Sequence, residues 1–135
     1  MIRSRRLRDR GTGERASAAV EFALVLPLVL TMGLALLQLG LLVKDQLVVA
    51  GAARAGAREA AVDLDDATVR QTATDAAVGL DPSLLDVSVA RQGGSGTAVT
   101  VTVVFHAPVD IPVVSWLFPP GVDLSGTVTM RQETG

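Results

Sequence analysis

Residues Ala23–Val43, ALVLPLVLTMGLALLQLGLLV, form 21 consecutive positions without a charge. As an α-helix rising about 1.5 Å per residue, this stretch is about 30 Å long, the thickness of a bilayer's hydrocarbon core. A soluble protein would have to bury such a helix on every side. The ninety-odd residues that follow are too few to do so. The stretch therefore reads as a transmembrane helix, and the rest of the chain is organised around it.

Charge supplies the orientation. Residues 1–15 carry six arginines against Asp9 and Glu14, a net +4, while residues 44–135 carry six cations against eleven anions, a net −5. A basic head before the apolar run and an acidic body after it place the N-terminus in the cytoplasm and the C-terminal part outside. The overall charge of −2 conceals this asymmetry. The arginine-rich head lacks the interleaved aromatics of a nucleic-acid surface, so nucleic acid is not an expected partner. A cleaved secretory signal is a second reading, because Ala50-Gly51-Ala52 has the small-x-small pattern of a signal-peptidase site. Against it, the run exceeds the usual length of such signals, and Lys44-Asp45 intervenes.

Past the span, residues 44–62 are alanine-rich and free of proline, which predicts that the helix continues into solvent. Arg54 and Arg58 share one of its faces, and Ala52, Gly56 and Ala60 form a small-residue stripe on another. That stripe either admits a second helix closely or reflects alanine's helix propensity alone. A short helix over 66–79 follows, with Asp65 or Asp66 as its N-cap and Gly79 and Pro82 ending it. The period then changes to two. Leu85, Val87 and Val89 alternate with polar or small residues, as do Val99, Val101, Val103 and Phe105, with a glycine-rich turn at 92–96 between them. Strands are thus expected near 84–91, 98–106 and 123–131. The predicted class is α+β, a long N-terminal transmembrane helix whose outer part packs on a small antiparallel sheet of about three strands. The segment 107–121 contains four prolines along with Trp116 and Phe118, two of the chain's four aromatics. It is either a partner or membrane-surface contact or a plug for the open end of the sheet.

No catalytic, cofactor or metal constellation is legible. There is no cysteine, the single histidine, His106, falls on the polar face of its strand, and the carboxylates are scattered. The sequence therefore predicts no enzyme. The distinctive chemistry lies at the entrance to the membrane. Glu21 is the only charge among residues 16–43, and Pro27 follows six residues later. A carboxylate buried without a partner costs several kcal/mol, so Glu21 must face water or meet a cation. Pro27 removes one helical hydrogen bond and favours a kink.

The basic leader, the small residues before Glu21, the run AAVEFALVLP with Phe22 after the glutamate, and the long apolar helix resemble the start of the TadE-like family. Ala52-Ala53-Arg54-Ala55-Gly56-Ala57-Arg58 resembles its second signature, and Val128-Thr129-Met130-Arg131 its closing strand. The resemblance implies a pilin-like fold and a minor component of the tight-adherence (Tad) pilus, a type IVb-related system. It also implies partners: the membrane, other pilin-like subunits, pilus-assembly proteins and a prepilin peptidase. Such a peptidase cuts on the cytoplasmic side four residues before the glutamate, here between Ala16 and Ser17. The family pattern favours glycine where this chain has Ala16. The implied division is a basic cytoplasmic leader over 1–16, a transmembrane helix over 17–43 and an extracytoplasmic pilin-like domain over 44–135. Glu21 would then be the subunit-docking residue, paired with the new amino group of a neighbouring subunit.

Overall fold

The structure, a computed structural model, describes residues 10–108 and 121–133, with side chains from Gly13 onward. A single helix, α1, spans Arg10–Val62, and α2 spans Asp66–Ala76. A 3-10 turn at Pro82–Leu84 leads into β1 (Leu85–Arg91), β2 (Ala98–Pro108) and β3 (Gly121–Arg131). The chain divides into two units, residues 1–37 and residues 38–135.

In the first unit the side chains of α1 make almost no burial. The best 18-residue window of the helix has a mean hydropathy of 2.3 and none of it is buried. Phe22, Leu24, Leu28 and Leu30 are all more than half exposed. A helix that is apolar on all sides and covered on none is suited to lipid as its solvent.

The second unit is an α+β sandwich of two layers. Its sheet has the order β1-β2-β3, antiparallel throughout, with Leu85 opposite Phe105 and Phe105 opposite Leu124. The alternation expected from sequence sets the inner face: Val99, Val101, Val103, Phe105 and Ala107 are buried on β2, and Leu124 on β3. The outer face carries Thr100–Thr129 and Thr102–Thr127 hydroxyl pairs at 2.8 and 3.1 Å. The long helix packs on the inner face as the fold class requires. Val49, Ala52, Ala53, Ala57 and Ala60 are fully buried, together with Val69 and Ala73 of α2.

The small residues of α1 are there for close approach. A Cβ at Gly56 would stand 3.0 Å from the Ala73 Cβ and 3.1 Å from Val101 Cγ1. The stripe therefore serves packing within the chain, against α2 and β2. Gly126 does the same from the sheet side, since a Cβ there would stand 3.1 Å from both the Ala50 Cα and the Val49 carbonyl oxygen. Backbone lies almost directly on backbone at that point.

The end of α1 is finished by distant residues. Arg91, at the end of β1, donates from Nη1 to the Ala60 carbonyl (3.0 Å) and from Nη2 to the Asp63 carbonyl (2.9 Å). Its Nε pairs with Asp66 Oδ1 at 3.0 Å. The Glu133 amide donates to the Ala61 carbonyl at 2.8 Å. Carbonyls that a helix end leaves open are thus closed from the sheet, and a cation sits at the negative end of the helix dipole.

Element bounds differ from the alternation and capping signals by a few residues. α2 ends at Ala76, where the Ala77 amide bonds the Thr74 carbonyl and tightens the last turn, and Gly79 takes φ +85° in the turn that follows. Its N-cap is Asp65, whose carboxylate accepts the Ala67 amide and the Thr68 hydroxyl. These bonds hold the Asp65 carboxyl below its usual range, the Thr68 bond first. β2 and β3 each run two residues further, to the pair Pro108–Gly121. Proline is tolerated there because it is the terminal residue of the strand.

Gly126→Ala should destabilise the domain by about 1–3 kcal/mol, because the atoms it meets are helix backbone and cannot rotate away. Gly94→Ala, which meets nothing within 4 Å, should stay within about 0.5 kcal/mol of wild type. Thermal melts of the full chain in detergent check the pair. Equal melting temperatures would remove the close approach at Gly126.

Candidate assembly and processing surface

The N-terminal half of α1 presents its functional candidates to the outside. Ser17 and Glu21 are one turn apart on the same face, and the Ser17 hydroxyl donates to Glu21 Oε1 at 3.3 Å. Ala16, Ser17, Glu21 and Phe22 are all exposed. The Ala16–Ser17 bond lies inside the helix, which begins at Arg10. A protease that reads extended backbone must therefore open the first turns, which contain Gly11 and Gly13. Each glycine costs about 1 kcal/mol of helix stability relative to alanine, so opening is easiest at that end.

Helix α1 continues through Pro27 without interruption. The Thr31 hydroxyl donates to the Pro27 carbonyl at 2.8 Å. This is the back-bonding that short hydroxyl side chains make one turn down a helix.

Arg54 and Arg58 are exposed on α1 of the second unit, opposite its buried alanines, while Gly56 between them is buried. None of the ion pairs among the described residues involves either arginine. Trp116 and Phe118 lie outside the described residues. An open groove of about 400 Å³ is lined by Leu41, Leu42, Leu80, Phe105 and Pro108 among others. Its lining is mainly apolar, with Gln38, Lys44, Asp45 and Asp81 as its polar members.

One cluster escaped the sequence reading. His106 Nδ1 is 2.7 Å from Asp123 Oδ1, and its Nε2 is 3.0 Å from Asp86 Oδ2. The three residues bridge all three strands on the outer face of the sheet. Asp123 stands directly opposite His106, whereas Asp86 is opposite Val104, two residues along β2 on the same face. Both ring nitrogens can donate at once only in the imidazolium form. The bond to Asp123 first, and that to Asp86 second, raise the His106 pKa above its ordinary 6.5. Such a cluster is electrostatic reinforcement of the sheet. Among the described residues no group of three His, Cys, Asp or Glu side chains is placed to hold a metal ion.

The direction of the shift fixes the pH dependence. A raised folded-state pKa contributes stability that is complete below 6.5 and disappears as pH rises through the folded value. As the chain's one histidine, His106 gives a single NMR titration. Its midpoint should lie above 6.5 and move back toward 6.5 in Asp123→Asn, and less so in Asp86→Asn. A wild-type midpoint at or below 6.5 would remove the cluster.

Comparison with known proteins bears on α1. No curated protein and no solved structure matches the chain. Residues 16–58 match the family model described as TadE-like protein, a stretch from the Ala16–Ser17 bond to Arg58 that lies wholly within α1. Over these residues, about a third of the chain, it is similar to TadE-like proteins.

Proposed function

We propose that the chain is a minor pilin or pilus-assembly component of a type IVb-related tight-adherence system. It is held in the cytoplasmic membrane by residues 17–43, with the basic leader inside and the α+β domain outside. The observation that carries this reading is the pairing of an uncovered apolar helix with a single carboxylate at its entrance. Its role is structural rather than enzymatic. The helix anchors the chain in lipid, and Glu21 gives assembly a specific polar contact where the surroundings have low dielectric.

Processing supplies the partner for that contact. A prepilin peptidase cutting between Ala16 and Ser17 removes the basic leader and leaves a free amino group at Ser17, one turn from Glu21. The amino group of one subunit then neutralises the Glu21 carboxylate of its neighbour, so neither charge remains alone in an apolar surrounding. Ala16 adds one methyl to a subsite shaped for glycine, worth about 1–3 kcal/mol of discrimination, so cleavage is slowed and not abolished.

A surface protein anchored in the same way but unrelated to pili is the competing reading. The secretory-signal reading has less support, because Ala50-Gly51-Ala52 lie in the helix and Ala52 is fully buried in the domain core.

With a cognate peptidase, N-terminal sequencing of the membrane-purified protein should show a start at Ser17, and Ala16→Gly should be cut about tenfold faster, the effect of about 1.4 kcal/mol. Glu21→Gln should insert and fold normally, yet its recovery with co-assembled subunits should fall roughly tenfold. An intact Met1 together with unimpaired assembly of Glu21→Gln would favour the permanent anchor.

A further inference from the structure

The groove beside the end of the apolar run has a feature that packing alone does not explain. Gln38 lines it and is only 6% exposed, yet its side-chain amide makes no hydrogen bond among the described residues. Among those residues no wholly enclosed side-chain polar atom lacks a partner, so the Gln38 amide opens onto the groove itself. An amide drawn from water into apolar surroundings is costly unless something bonds it. The surroundings are apolar here: Leu42 one turn further along α1, then Leu80, Phe105 and Ala107, the last three buried. A volume of about 400 Å³ is within the range of clefts that hold small ligands. An apolar cleft with one open amide suits a chain of methylenes that carries a hydrogen-bond acceptor.

The mouth of the groove is charged. Lys44, Asp45 and Asp81 complete its polar lining, with Lys44 Nζ 3.5 Å from Asp45 Oδ1. Asp81 Oδ1 accepts the Ser83 hydroxyl at 2.7 Å and the Ser83 amide at 2.9 Å. These bonds, the hydroxyl first, hold the Asp81 carboxyl below its usual range, so it is ionised at neutral pH. Lys44 is the first charge after the apolar run. Where residues 17–43 cross the membrane, the mouth therefore lies among lipid headgroups. Gln38 is six residues deeper, about 9 Å along the helix. At that depth a headgroup layer about 5–8 Å thick gives way to acyl chains.

We propose that the groove holds one acyl chain of a zwitterionic, amine-bearing phospholipid. The chain lies along Leu42, Leu80 and Phe105, and its ester carbonyl accepts the Gln38 amide. At the mouth the phosphate meets Lys44, and the ammonium meets the carboxylates of Asp45 and Asp81. One cation beside two carboxylates matches a headgroup that carries both signs. A purely anionic headgroup would gain Lys44 and face both carboxylates. The proposal rests on the reading of residues 17–43 as the membrane span and adds a specific lipid to it.

Lipid photolabelling tests it on the full-length protein. The chain is reconstituted in vesicles of equal parts phosphatidylethanolamine and phosphatidylglycerol, with a trace of one or the other carrying a diazirine on its acyl chain. Both probes should label α1 over residues 24–36, and the ethanolamine probe should also label Phe105 and Ala107 of β2. The glycerol probe should label these strand residues roughly fivefold less. Gln38→Leu, which keeps the bulk and removes the amide, should cut the strand label several-fold at unchanged helix label. Asp75→Asn, on α2, should leave both labels unchanged. Equal strand labelling by the two probes would overturn the proposal, as would indifference to Gln38→Leu. Helix label without strand label would overturn it in favour of a second copy of the chain in the groove, and leave the membrane reading standing. Loss of the helix label as well would remove the span on which the proposal rests.

Discussion

The domain depends on how closely α1 lies on the sheet. At Gly126 the strand has no side chain, and the space is taken by the backbone of the helix at Val49 and Ala50. From the helix side the same constraint requires alanine and glycine at 52, 53, 56, 57 and 60, all of them buried. Larger residues could not be accommodated at this distance, so bulk comes from the valines of β2 and from Val49 and Val69. This is how 49% apolar composition with only 3% aromatics builds a core. Many short side chains interlock where a usual domain would insert a few large rings. Having fixed the distance, the packing also fixes the ends. Arg91 can reach the Ala60 and Asp63 carbonyls only because β1 runs beside the end of the helix.

A single helix therefore works in two surroundings. Over its first part it is apolar on every side and nothing covers it. Over its second part it has one buried face of small residues and one exposed face bearing Arg54 and Arg58. In the proposed reading, the change in pattern is where the solvent changes from lipid to water. It also accounts for the extent of the family match, which follows the helix and leaves out the sheet. In the proposed reading the helix carries both the membrane contact and the contacts between subunits. The sheet mainly has to support the helix, and its outer face is occupied by hydroxyl pairs and the His106 cluster.

Local patterns were readable before the fold was known. Alternation at 85–89 and 99–105 assigned the inner face of the sheet, and the uncharged run marked a helix long and apolar enough to cross a membrane. The N-cap of α2 was narrowed to Asp65 or Asp66, and geometry selects Asp65. Contacts set by register were not readable. His106 meets Asp86 and Asp123, 20 and 17 residues away, through the ladder alone. Arg91 reaches 31 residues back to Ala60 of α1 and 28 back to Asp63, just past its end. Nothing local distinguishes Arg91 from other strand-terminal cations. The small-residue stripe was ambiguous for a related reason, because alanine is favoured both by helix propensity and by close packing. Only the 3.0 Å approach to Ala73 decides for packing.

The central claim is that residues 17–43 span the membrane with the leader inside and the α+β domain outside. Single cysteines introduced into this cysteine-free chain, probed with a membrane-impermeant maleimide, test it directly. In intact spheroplasts of cells lacking the prepilin peptidase, where the leader is retained, Gln71→Cys should be labelled, Ser4→Cys should react only after lysis, and Leu28→Cys should react only in detergent. Labelling of Ser4→Cys with protection of Gln71→Cys would reverse the orientation, and free labelling of Leu28→Cys in intact membranes would remove the span itself.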